Sequence, residues 1–111
     1  MEKVAGGCHC GAVRFTATAD ISKAVECNCT ICEKKGSLLS FISAEDFALV
    51  SGEDALTDYL FNKKTITHRF CSTCGVESFA QSADGVMINL RCINGADLGA
   101  VERLAFDGRS A

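Results

Sequence analysis

Eight cysteines carry most of the chemistry this sequence could do. Seven fall into three tight clusters, Cys8/Cys10, Cys27/Cys29/Cys32 and Cys71/Cys74, and the eighth, Cys92, stands apart. In an oxidising compartment such a number suggests disulfides, whereas in a reducing one thiols stay free unless a metal or catalysis uses them. The single-residue gaps in Cys8-x-Cys10 and Cys27-x-Cys29 suit chelation better than bridging. Zinc takes four tetrahedral ligands in a structural site and three plus a labile position in a catalytic one. Seven clustered thiols divide naturally as four plus three; the other division mixes the middle cluster with one pair and strands the second pair. Cys27-x-Cys29-x2-Cys32 can close on one ion by itself, since its loop is too short to send ligands elsewhere. Cys8/Cys10 and Cys71-x2-Cys74 are each half a site and together make a four-thiolate centre. Two Zn2+ ions are therefore expected, a structural one at Cys8, Cys10, Cys71 and Cys74 and a catalytic one at Cys27, Cys29 and Cys32. Iron–sulfur clusters also use thiolates, but usually four per cluster with other spacings.

Neither histidine completes the trio on this reading. His9 lies between Cys8 and Cys10, so in an extended segment its side chain points away from both. His68 is expected on the strand face opposite Cys71, beside Ile66 and Phe70. The fourth position at Cys27, Cys29 and Cys32 is left for water, a substrate atom or a donor from elsewhere. Three thiolates leave the first shell of Zn2+ with a net negative charge, which makes the ion a weaker Lewis acid than one held by neutral imidazoles. Such a site still binds an incoming thiol and keeps it deprotonated, and a thiolate is a nucleophile at neutral pH. A small thiol and an aldehyde are the natural reactants.

The elements that must position these residues are mostly β. Proline is absent, and Gly6-Gly7, Ser51-Gly52, Asp84-Gly85, Asn94-Gly95 and Asp107-Gly108 read as turns. Between them lie strand-like segments at Ala12–Thr18, Leu38–Ser43, Phe47–Val50, Asp58–Phe61, Thr65–Phe70, Val76–Ala80, Val86–Cys92 and Val101–Phe106. Cys92, in Leu90-Arg91-Cys92-Ile93, then reads as a core cysteine of an apolar strand. Asp84-Gly85 between two such runs is a hairpin signal. Helix is confined to two single turns, one capped by Ser43 ahead of Asp46 and one capped by Thr30 and running through Ile31 to Lys35. At 111 residues, with 48% hydrophobic and 23% charged residues, the chain is expected to fold as one zinc-binding domain, 1–111. The net charge of −3, with signs interspersed and no Lys/Arg run, argues against a nucleic-acid partner. No apolar run is long enough to span a bilayer, and the N-terminus lacks the features of a secretory signal. The cytoplasm is the default location, and oligomeric state has no signal in the sequence.

Several motifs together resemble the glutathione-dependent formaldehyde-activating enzyme family, also described as the centromere protein V-like domain. The matching pieces are Gly7-Cys8-His9-Cys10-Gly11-Ala12-Val13-Arg14-Phe15, Cys27-Asn28-Cys29-Thr30-Ile31-Cys32, Ser51-Gly52-Glu53-Asp54-Ala55 and Phe70-Cys71-Ser72-Thr73-Cys74-Gly75. The resemblance implies a β-tent of antiparallel sheets stapled by zinc, with a structural ion at Cys8, Cys10, Cys71 and Cys74 and a catalytic one at Cys27, Cys29 and Cys32. It implies joining glutathione to formaldehyde as S-(hydroxymethyl)glutathione, a carbon–sulfur lyase reaction run in reverse. Glutathione carries two carboxylates, so Lys34, Lys35 and Arg91 are candidate contacts, the plainer reading of Lys34 and Lys35 being a solvated turn. A second function class is a non-catalytic, zinc-stabilised binding module, motivated by the lack of an obvious general base near the trio. A zinc or redox sensor at the trio is a third.

Overall fold

Short-range turn chemistry and long-range cysteine placement meet in two sheets. The computed structural model describes residues 1–60, 66–108 and 110. Strands β1 (Glu2–Gly7), β2 (Arg14–Ala19) and β5 (Phe47–Ser51) form a three-stranded antiparallel sheet in the order β1-β2-β5. The larger sheet runs β10-β3-β4-β9-β8-β7-β6. Its strands are β3 (Lys23–Cys27), β4 (Leu39–Ile42), β6 (Leu56–Tyr59), β7 (Ile66–Cys71), β8 (Phe79–Ser82), β9 (Gly85–Asn89) and β10 (Glu102–Phe106). A short helix, α1 (Thr30–Lys35), and four single 3-10 turns complete the described elements.

Alternation sets which faces are buried. On β2, Phe15, Ala17 and Ala19 point inward while Arg14 and Thr16 are exposed. They meet Leu38, Ile42, Phe79, Val86, Ile88, Leu90 and Ile93 of the larger sheet and its connections in the main core. Phe15, Phe47 and Phe79 join the two sheets, with ring centroids 5.4 Å (Phe15–Phe47), 4.7 Å (Phe47–Phe79) and 6.4 Å (Phe15–Phe79) apart. The opposite face of the large sheet holds a smaller cluster of Leu39, Ala80 and Met87, against which Val25, Cys32 and Ile66 pack. Register explains it, because Met87 faces Ala80 and Phe41 across β9 while Ile88 faces Phe79 and Ser40 one residue along.

The mostly-β expectation holds, as does the hairpin at Asp84-Gly85, where Ser82 pairs with Gly85. Several readings need correction. The sheets are not wholly antiparallel, since β10 runs parallel to β3 from Glu102↔Lys23 to Phe106↔Cys27. Strands β1 and β3 were not anticipated; β1 ends in two glycines and shows no alternation, so its place depends on β2. Gly7 earns that place by close approach, because a side chain there would overlap the Val13 carbonyl. The strand expected to run through Cys92 stops at Asn89, whose side chain accepts the Arg91 N–H and turns the chain into a 3-10 turn, Leu90–Cys92. Cys92 is partly buried in that turn, its Sγ 3.8 Å from the Glu77 carbonyl, and burial pushes its thiol up to about 11. Finally, α1 takes Cys29 as its N-cap, with Thr30 as its first residue, and Ser43 donates to the Asp46 carboxylate (3.1 Å) instead of accepting from the backbone. The strand expected at Asp58–Phe61 is found at Leu56–Tyr59, with Phe61 and Thr65 outside the described residues.

Candidate metal centres

Two loops carry the first group of sulfurs. The β1–β2 connection begins at Cys8, whose N–H donates to the Val13 carbonyl (3.0 Å), and Gly11 turns it with φ of 85°. Cys71 ends β7, and a turn closed by the Gly75 N–H donating to the Cys71 carbonyl (2.8 Å) brings Cys74 back beside it. The sulfurs of Cys8, Cys10, Cys71 and Cys74 all lie within 4.8 Å of one another. Cys10 Sγ is 3.6 Å from both Cys8 Sγ and Cys71 Sγ. A disulfide needs about 2.05 Å, whereas tetrahedral thiolates at the zinc–sulfur distance of about 2.3 Å stand roughly 3.8 Å apart. The spacing fits a metal and is longer than a disulfide bond. Backbone N–H groups also point at the sulfurs, Val13 at Cys8 (3.3 Å) and Thr73 and Cys74 at Cys71 (3.4 and 3.5 Å). Donors of this kind favour thiolate. The N–H groups of Val76 and Cys10 hold Cys74 down to about 6. At Cys10 the Ala12 N–H acts in the same direction, but the neighbouring thiols of Cys71 and Cys8 outweigh it and push the group up to about 11.

The second group is local in sequence and roofed by distant chain. Cys27 ends β3, Cys29 caps α1 and Cys32 lies within it, with their sulfurs inside 4.8 Å of each other. The Cys29 N–H donates to Cys27 Sγ (3.4 Å). Gly36, with φ of 68°, ends the helix by donating to the Cys32 carbonyl (2.9 Å). Burial raises Cys27 and Cys32; at Cys29 burial also acts upward, but N–H groups from Cys32 and Ile31 help bring the thiol below its ordinary value. The chain after β10 then covers the site. The Asn28 N–H donates to the Phe106 carbonyl and Asn28 Nδ2 to Asp107 Oδ1, both at 3.1 Å. Gly108 sits so close that any side chain there would overlap Cys27 Sγ.

Each group could hold a metal ion, and its all-sulfur donor set suits zinc. Among the described residues no His, Asp or Glu joins either group. His9 is exposed. His68 is buried and its Nδ1 lies 3.2 Å from Glu77 Oε2; an ionised carboxylate only accepts, so Nδ1 carries the proton. The other oxygen of Glu77 pairs with Lys35 Nζ. Lys34 and Lys35 are both exposed residues, as a solvated turn requires, but the Lys35 side chain bends back towards the protein and is only 29% exposed. Arg91 is tied to α1, its Nε donating to the Gly36 carbonyl (2.9 Å). Reasoning from sequence missed Glu77, Asp107 and Gly108. The Asp107-Gly108 pair was visible as a turn signal, but nothing local tied it to Cys27.

Among the described residues no helix is long and apolar enough to cross a membrane. The family model described as glutathione-dependent formaldehyde-activating enzyme matches residues 3–103. A crystal structure of a Rhodobacter sphaeroides protein is similar at 30% identity and a TM-score of 0.81, covering 90% of this chain and 99% of that one. With the match spanning both cysteine groups, the chain belongs to the glutathione-dependent formaldehyde-activating enzyme family.

Proposed function

We propose that the protein adds a small thiol, glutathione or a close relative, to an aldehyde such as formaldehyde, as a carbon–sulfur lyase working in the direction of synthesis. Membership of the family supports a glutathione-dependent, formaldehyde-activating role in general. The finer reading rests on one observation: three sulfurs, from Cys27, Cys29 and Cys32, converge with no fourth Cys, His, Asp or Glu joining them among the described residues. Cys8, Cys10, Cys71 and Cys74 would hold a structural Zn2+ that ties the small sheet to the large one. Cys27, Cys29 and Cys32 would hold a second. When bound there, zinc supplies a cation that keeps an incoming thiol ionised. The protein's own part is to fix the three sulfurs and leave one side open. Cys29 is set by the start of α1, Cys27 by the end of β3, and Gly108 packs against the Cys27 sulfur.

The test is a titration of the cobalt-substituted protein with glutathione, together with exchange spectroscopy of glutathione and formaldehyde over the zinc form. The expected result is a shift in the cobalt–thiolate bands and adduct formation faster than the uncatalysed rate. Unchanged bands and background rates would sink the reading and leave a zinc-stabilised binding module in its place.

A further inference from the structure

We propose that Lys35 is the proton-donating cation of the tri-cysteine site and that Glu77 is the positioning residue that holds it there. The inference rests on the thiol–aldehyde reading above and supplies the acid–base group that the cysteines themselves lack.

Lys35 follows Cys32 by three residues on α1, which puts the two on one face of the helix. A lysine in the last turn of a short surface helix ordinarily extends its ammonium into water. Here the ammonium is folded back onto the carboxylate of Glu77, whose side chain is 10% exposed. A carboxylate so far from solvent is costly unless both oxygens are satisfied. Lys35 Nζ satisfies one and His68 Nδ1, on a side chain 8% exposed, the other. His68 in turn is anchored on β7 opposite Ala80, and Ala80 belongs to the cluster against which Cys32 packs. Helix, strand and the β7–β8 loop therefore converge to hold one cation on the face of α1 that carries Cys32.

The chemistry requires such a group. As the thiol sulfur bonds to the aldehyde carbon, the C=O π bond breaks and negative charge develops on oxygen. Three thiolates repel that charge. The Lys35 ammonium donates a hydrogen bond and then its proton to the oxygen, and regains a proton from the one the thiol released. The S–H proton thus ends as the hydroxyl proton of the adduct, Lys35 ends charged as it began, and no other reactant is needed. Glu77 stays ionised throughout.

The experiment uses the zinc-loaded full chain and the variants Lys35→Met, Lys35→Arg and Glu77→Gln. Adduct formation from glutathione and formaldehyde is followed by exchange spectroscopy. Glutathione binding is read from the cobalt-substituted forms, and Lys35 acylation is measured by mass spectrometry with Lys34 as internal standard. Loss of one preorganised donor costs about 10²-fold in kcat, so Lys35→Met should fall by that factor with glutathione affinity within about threefold of wild type and zinc content unchanged. Lys35→Arg should recover part of the rate. Lys35 should acylate more slowly than Lys34 in the wild type and lose that protection in Glu77→Gln. Full activity in Lys35→Met, a loss confined to glutathione affinity, or equal acylation of the two lysines in the wild type would each overturn the proposal while leaving thiol–aldehyde addition standing. A wild type that does not accelerate the reaction removes both.

Discussion

Replacing Gly108 by Ala is the sharpest probe of how the trio is built. Gly108 is not among the positive-φ glycines, so alanine brings no backbone strain of its own. The cost is collision, since the new methyl would overlap Cys27 Sγ and lie 3.1 Å from Cys29 Cβ and 3.5 Å from Cys29 N. Retreat of the tail is resisted by the Phe106↔Cys27 register and by the two 3.1 Å hydrogen bonds from Asn28 to Phe106 and Asp107. The cysteine sulfur must give instead. Overpacking of this kind costs about 1–3 kcal/mol, and at about 1.4 kcal/mol per tenfold change this is roughly 5- to 150-fold in affinity. A zinc–sulfur bond tolerates displacement of only about 0.2 Å, so the penalty falls on metal binding at the trio. The four-cysteine centre lies elsewhere in the fold and should keep its ion. Competition with a graded series of chelators, alongside thermal melts, separates the two. The expected outcome is one zinc weakened within that range, the other held as tightly as in the wild type, and an unchanged melting temperature of the protein. Two ions held as tightly as in the wild type would refute the idea that the tail packs against Cys27.

Three further outcomes test the rest of the structure. Cys71→Ser should release metal with loss of fold, whereas Cys32→Ser should leave a folded protein with about half the zinc, as read by metal analysis and circular dichroism. Phe79→Ala removes the ring that contacts both Phe15 and Phe47 and should cost about 3–5 kcal/mol in chemical denaturation. His68 is held below its ordinary value by burial and by the Lys35 ammonium, which offsets the carboxylate the two share. The unfolded chain therefore takes up the imidazole proton first as pH falls, so stability is intact above about pH 6.5 and declines below it. Melts of zinc-saturated wild type and His68→Gln across that window should show a shallower acid slope in the variant.

Cysteine spacing announced both sulfur groups because zinc's coordination number leaves few ways to divide seven thiols, and the structure brings together the sets that spacing suggests. Strands with clear alternation, such as Phe15-Thr16-Ala17-Thr18-Ala19, or with a two-residue hairpin, as around Asp84, were readable for similarly local reasons. Pairings between distant segments were not. Nothing within Glu102–Phe106 says that it lies parallel to Lys23–Cys27, and only that pairing carries Asp107-Gly108 over the trio. Glu77 was hidden for another reason. Val76–Ala80 looks like one strand, but β8 starts only at Phe79, and the preceding loop turns the carboxylate inward to Lys35 and His68.

The two sulfur groups differ in how far along the chain they reach. Cys10 and Cys71 are 61 residues apart, whereas the trio fits within a single turn and helix start. A disordered polypeptide can therefore wrap Cys27, Cys29 and Cys32 around a cation almost as well as the folded one does, and an ion that binds both states does little to separate them. The distant quartet exists only once the sheets have met, so an ion held there would favour the native state with nearly its whole affinity. When zinc is scarce, nascent chains should capture it first at the local trio, where it does least to drive folding.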